Sequence, residues 1–215
     1  MSSAGRGESP AVALDHEPVR LEVSKRRAAA GVLARAFQED PVFRAVLPDA
    51  ERRRRTLSWL HDKLVRYCLL YGTAYTLPSL SGVACWLPPG RTELSIGRLA
   101  RAGLLAMPLR MGPSAFGRFS AYENVASGLR RRNTPDRYWY LWCLGVDPPH
   151  QGQGIGGRLI RPVLEQADAS RTACYLETEK ERNVAFYAKR GFRVATEGRV
   201  PRLGLTTWSM IREPA

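Results

Sequence analysis

An α/β fold is what the sequence predicts, on three observations. The stretch "RYWYLWCLGVDPP" (137–149) is dense in β-branched and aromatic residues and is the strongest strand candidate in the chain. It runs straight into "HQGQGIGGRLI" (150–160), a glycine-rich loop that turns at once into an amphipathic helix through Ile155, Leu159, Ile160, Val163 and Leu164. From there the order is strand, glycine loop, helix, strand, helix, strand, an alternation that belongs to α/β architecture.

The elements upstream fit the same class. In "KRRAAAGVLARAFQED" the apolar residues Ala29, Val32, Leu33, Ala36 and Phe37 fall on one helix face, and Pro41 is expected to end the helix. "DAERRRRTLSWLHDKLVRYCLLYG" repeats the pattern through Leu57, Leu60, Leu64 and Cys68. "TAYTL" and "GVACWLPPG" read as a short antiparallel pair around the turn "PSLSG". Residues 93–133 read mostly as helix, broken near Pro108 and Pro113. Pro162 lies inside the helix after the glycine loop and should kink it by removing one backbone hydrogen bond.

Composition excludes several classes. With 44% hydrophobic and 25% charged residues among 215, the chain reads as one soluble domain over 21–215 behind a polar tail at 1–20. No apolar run is long enough to span a membrane and no secretory signal opens the chain, so a cytoplasmic location and no membrane association are expected. The four cysteines form no C-x-x-C pair and the three histidines have no ligand-like spacing. Reduced, buried thiols and no metal follow. The net charge of +13 is concentrated in residues 1–133, with 21 basic against 11 acidic residues. That excess is scattered in short arginine clusters without a recognition module, so no nucleic-acid partner is expected.

The glycine loop carries chemistry. At a helix start the first backbone N–H groups lack intrahelical partners and carry the positive end of the helix dipole. Glycines at 152, 154, 156 and 157 let that backbone approach a phosphate closely. No lysine follows them as a Walker loop requires, and Gly152, Gly154 and Gly156 give G-x-G-x-G rather than the dinucleotide G-x-G-x-x-G. What the spacing Gln151-x-x-Gly154-x-Gly156 does match is the Q/R-x-x-G-x-G/A loop of the GCN5-related N-acetyltransferases. The similarity continues through "CYLETEKERNVAFYAKRGFRV", with Asn183 and "FYAKRGF" on the last helix, and spans about 138–212. The set "LET…RN…FY…GF" most resembles the branch that contains puromycin N-acetyltransferase.

This resemblance implies a mixed central sheet splayed where coenzyme A binds, flanked by helices, with acetyl-CoA as donor. The cofactor set it implies is Leu144, Gly145 and Val146 along the strand, Gln151, Gly152, Gln153, Gly154, Ile155, Gly156 and Gly157 in the loop, and Asn183 and Tyr187 on the helix; backbone amides of Gln153, Gly154, Gly156 and Gly157 would take the pyrophosphate. Tyr187 stands where the family places its general acid beside the sulfur. On "CYLETE" the strand period places Tyr175, Glu177 and Glu179 on one face, so Glu177 is the candidate base. Tyr140 and Trp142 share the face of Leu144 and would, with Glu177, line the acceptor site. Aromatic residues in the first part of the chain, among them Phe37, Phe43, Trp59, Tyr67, Trp86, Phe116, Phe119, Tyr122 and Tyr138, suit a flat, apolar ligand. The expectation is a monomer or homodimer acetylating a small-molecule primary amine in a ternary complex, specifically a mono-amine with an aromatic or hydrophobic body, because a net +10 over 1–133 disfavours polycations. The alternatives are a protein or peptide N-acetyltransferase and a non-catalytic, CoA-binding regulatory protein.

Overall fold

The computed structural model describes residues 17–215; most of the expected tail lies outside them. Seven strands form one sheet in the order β1-β2-β3-β4-β5-β7-β6, with β1 at Val19–Arg20, β2 at Thr73–Thr76, β3 at Gly82–Leu87, β4 at Tyr138–Val146, β5 at Ala173–Thr178, β6 at Arg193–Val200 and β7 at Leu205–Arg212. Only the β4–β5 pairing is parallel. The sheet is therefore mixed, as expected. Two details differ from the sequence reading. Val19 and Arg20, assigned to the tail, pair with Thr76 and Tyr75. The chain after Gly191 forms two strands rather than one, and the second, β7, inserts between β5 and β6.

The helices are α1 (Arg26–Ala36), α2 (Pro41–Val46), α3 (Ala50–Tyr71), α4 (Ile96–Ala102), α5 (Met107–Met111), α6 (Pro113–Asn133), α7 (Ile155–Ala169) and α8 (Glu181–Ala188). Pro41 does not end α1. It opens α2, because the side chain of Asp40 accepts the Val42 N–H at 3.1 Å and a proline in the first turn forfeits no helical bond. Pro108 and Pro113 likewise sit in the first turns of α5 and α6. Pro162 is accommodated within α7, which is continuous from Ile155 to Ala169.

Each sheet face has its own core. On one, Ala29 and Leu33 of α1 and Leu57 and Leu60 of α3 pack on Val83, Cys85, Tyr138, Tyr140 and Tyr175. On the other, Ile155, Leu159, Ile160 and Val163 of α7 pack on Ala84, Trp86, Trp139, Leu141 and Leu176. All four cysteines are buried free thiols. No helix among the described residues is long and apolar enough to cross a membrane.

β4 departs from regular alternation. Cys85 pairs with Cys143 but Trp86 pairs with Leu141, so Trp142 is an extra residue, a β-bulge. Tyr138, Tyr140, Trp142 and Cys143 therefore all join the first core, and Leu144 joins the second. This corrects the expectation that Leu144 shares a face with Tyr140 and Trp142: one inserted residue flips every later side chain. Beyond the bulge the strand is pressed against α1, where a Cβ on Gly145 would lie 2.8 Å from Leu33 Cδ2 and 3.0 Å from Ala36 Cβ. Gly145→Ala should consequently cost about 1–3 kcal/mol through overpacking. Denaturant unfolding checks this, and an unchanged midpoint would contradict so close an approach.

Candidate active site

β4 and β5 pair only through Tyr138–Ala173, Trp139–Cys174 and Tyr140–Tyr175. Past Tyr140 they diverge, and the β5-facing backbone of β4 is left without a neighbouring strand, an edge available to an extended ligand. The end of β4 is anchored by Asp147, whose carboxylate takes two hydrogen bonds from Arg35 on α1, at 2.9 and 2.6 Å, and whose N–H donates to the Ser81 carbonyl. The Arg35 guanidinium holds the Asp147 carboxyl below its usual range.

Two cavities open from this divergence. The first, about 510 Å³, is walled by Leu144, Gly145 and Val146 of β4, by Gln151, Gly152, Gly154, Ile155 and Gly156 of the loop, and by Asn183, Phe186 and Tyr187 of α8. Its basic side chains are His150, Lys180, Arg182, Lys189 and Arg190. The loop owes its shape to Gly152 and Gly154, at φ +81° and +75°, where side-chain-bearing residues are strained. Gly154 caps α7, and its carbonyl accepts the N–H of Gly157 at 3.1 Å. The amides of Ile155 and Gly156 are thus the ones the helix start presents outward.

The cofactor residues expected from the sequence mostly converge here. Gln151 spends its side chain within the protein, donating to the Val146 carbonyl at 3.0 Å and so tying the loop back to β4. Gln153 is exposed beside the cavity. Gly157 lines a shallower neighbouring cavity of about 400 Å³ with Arg158, Arg161 and Arg190. Gly156 also has a packing role, since a Cβ there would lie 3.2 Å from Phe186 Cζ. Asn183 is no helix cap; it donates to Thr178 Oγ1 at 3.0 Å, joining α8 to the end of β5.

The second cavity, about 460 Å³, lies on the other side of the divergence and shares Phe37, Asp40, Leu144, Asn183 and Tyr187 with the first. Tyr140, Trp142 and Glu177, the residues expected at the acceptor site, all line it. So do Phe37, Phe43, Phe116, Phe119 and Tyr122, whereas Trp59, Tyr67, Trp86 and Tyr138 belong to the cores outside it. Among the described residues its wall contains no lysine or arginine, and it contains four carboxylates, Asp40, Glu123, Glu177 and Glu179. The +10 of the first part of the chain therefore lies elsewhere, and net charge does not describe this cavity.

Its acids are held differently. Glu177 pairs with Arg130 at 3.0 Å, and that guanidinium stacks 4.5 Å above the Tyr140 ring. Glu179 accepts from Tyr122 Oη at 2.8 Å and Thr207 Oγ1 at 2.7 Å. Burial pushes both up to about 7; Arg130 partly offsets this for Glu177, and the Asp40 charge adds to it for Glu179. Asp40 itself pairs with Lys180 at 3.0 Å. His61 is pressed down to about 4 by burial and stays neutral, its Nδ1–H donating to the Leu57 carbonyl. Tyr187 packs edge-on between Phe186 and Phe192, and burial raises its hydroxyl first, with contributions from Cys143 and Glu179.

Glu179, Glu123 and Arg130 lie in or against this cavity, and the sequence reading assigned them no role. Glu179 was within reach of it, being two positions from Glu177 on the same strand face. The other two come from α6, whose sequence gives no sign of which face meets the cavity.

With this fold and two-chambered cleft, the chain is similar to known acetyltransferases. Residues 106–192 match the family described as Acetyltransferase (GNAT) family. That segment is less than half of the chain, and with the fold it marks a similarity to this family. An uncharacterized N-acetyltransferase of Schizosaccharomyces pombe is 24% identical over 181 residues, 80% of this chain and 72% of the relative. Among solved structures, a histone acetyltransferase HPA2 and related acetyltransferase from Corynebacterium glutamicum superposes with a TM-score of 0.67 at 20% identity, covering 93% of this chain and 96% of the other. An arylalkylamine N-acetyltransferase 2 from Aedes aegypti gives 0.61 at 15% identity, covering 93% and 99%.

The loop geometry generates a prediction. A Cβ on Gly154 would meet no protein atom within 4 Å, yet its φ of +75° suits glycine alone, so Gly154→Val should distort the loop while sparing the cores. CoA affinity by calorimetric titration should fall at least about 10-fold, equivalent to ~1.4 kcal/mol, with the circular dichroism unchanged. Unaltered affinity would place the phosphates elsewhere.

Proposed function

We propose that this chain transfers the acetyl group of acetyl-CoA to the primary amine of a small molecule, directly, with both substrates bound. The observation that carries the reading is the meeting of a basic cavity and an acidic, apolar cavity at Tyr187, Asn183 and Leu144. The basic cavity fits CoA: a glycine loop at a helix start, five basic side chains, and a strand edge for an extended pantetheine arm. The acidic cavity fits an amine, which arrives as an ammonium ion and must lose a proton before it can attack. The enclosed, aromatic wall supports a small acceptor rather than a protein tail. The similarity of "LET…RN…FY…GF" to the puromycin N-acetyltransferase branch supports the same class.

Acetyl-CoA supplies an activated acetyl thioester. The protein's residues then do three things. A carboxylate of β5 or just beyond it takes the proton from the ammonium group, freeing the nitrogen lone pair to form the C–N bond. Unpaired amides of β4 beyond Tyr140 offer donors to the carbonyl oxygen as charge builds on it. Tyr187 donates its proton to the sulfur as the C–S bond breaks.

Glu177, the base expected from the sequence, and Glu179 both line the acceptor cavity and both titrate near 7. Glu179 is the stronger candidate. Its charge acts on Tyr187 and it is held by neutral hydroxyls, whereas Glu177 is already committed to Arg130.

Two measurements test this mechanism. Tyr187→Phe keeps the ring packing and removes the donor, so kcat should fall by about 10- to 1,000-fold with CoA affinity retained; full turnover in this variant would remove Tyr187 from the reaction. A base must be ionised to act, so kcat should rise with pH through about 7, the value to which Glu179 is pushed. Glu179→Gln should abolish that limb. If the limb survives there and disappears in Glu177→Gln, the base is Glu177.

A further inference from the structure

We propose that Glu123 holds a second, non-reacting cationic group of the acceptor, so that the preferred substrate is a diammonium-type molecule with an apolar spacer. This deepens the reading of the acidic cavity as the amine site and rests on it.

The four carboxylates of the cavity differ in what they already bind. Asp40 is paired with Lys180 and caps α2. Glu177 is paired with Arg130. Glu179 accepts two hydroxyl hydrogen bonds and is the proposed base. Glu123, on α6, has neither an ion pair nor a hydrogen bond among the described residues, although it lines the same wall. A half-buried carboxylate with no hydrogen bond or salt bridge of its own carries a desolvation cost. Burial accordingly holds the Glu123 carboxyl above its usual range, with Arg130 pulling it back. A ligand cation would relieve that cost.

The cavity thus offers two carboxylates outside any salt bridge, Glu179 for the reacting amine and Glu123 elsewhere on the same wall. The remainder of the wall, including Phe43, Phe119, Trp142 and Met107, is apolar and suits the spacer. A mono-amine fills the apolar part but leaves Glu123 unpaired. Sites built around a buried polar group discriminate against analogues that fail to satisfy it. The sequence expectation of a mono-amine rested on the net charge of the first part of the chain, and the cavity wall carries the opposite charge.

The test uses the full chain saturated with CoA and two probes of the same body, benzylamine and 1,4-bis(aminomethyl)benzene, titrated calorimetrically at pH 8. The dication should bind at least about 10-fold more tightly, as expected for a desolvated charge pair. Glu123→Gln should bring the dication down to the affinity of benzylamine, with CoA affinity as the control for folding. In the unaltered chain the preference should also shrink as pH falls and the carboxylate is protonated, a readout that needs no variant. Equal binding of the two probes by the unaltered chain, or a preference retained in Glu123→Gln, overturns the proposal. Acetylation of benzylamine without a dication preference would leave the proposed reaction standing. A preference without acetylation of either probe would sink the reaction and leave the Glu123 site.

Discussion

Everything in the cleft depends on the short pairing of β4 with β5. Three residue pairs join them and then they part, which puts an unpaired strand edge in the middle of a sheet rather than at its border. The geometry on either side sustains the gap. The bulge at Trp142 turns Cys143 toward the α1 and α3 face, Gly145 lets the strand press on α1, and Asp147 is held by Arg35. Across the gap, α8 delivers Tyr187, packed by Phe186 and Phe192. A β4 that continued in register with β5 would have neither the edge for a thioester nor the two chambers.

The chambers differ in charge, and the difference has a local origin. Loop and α8 residues make one chamber basic, whereas β5 and α6 bring acids into the other. Arg130, the arginine closest to those acids, is consumed by Glu177 and the Tyr140 ring rather than facing the cavity. A formal charge of +13 for the chain coexists with an acidic chamber because that wall carries no arginine or lysine among the described residues. Steering by net charge acts at long range, while the groups that select a bound amine act within a few ångströms.

The part of the molecule that follows Tyr138 was the more legible in the sequence. Gly152 and Gly154 mark positive-φ positions, the apolar period marks α7, and the strand period puts Glu177 and Glu179 on one face; each is a local rule acting on local residues. The bulge at Trp142 was not legible, because one extra residue in a run of aromatic and apolar side chains leaves no pattern, and the face of Leu144 was misread for that reason. Pro41 was misread as a stop because its role depends on Asp40 capping α2. Glu123 and Arg130 reach the site only through the packing of α6 against the sheet, a long-range fact that helix periodicity does not contain.

The central claim, that the open edge of β4 is where CoA lies, is tested most directly by amide hydrogen exchange on the full chain with and without CoA. The account predicts slowed exchange at β5-facing amides between Leu141 and Val146 and at the first turn of α7, with the already paired Tyr138–Tyr140 segment unchanged. CoA binding that leaves the Leu141–Val146 amides exchanging at their original rates would contradict it.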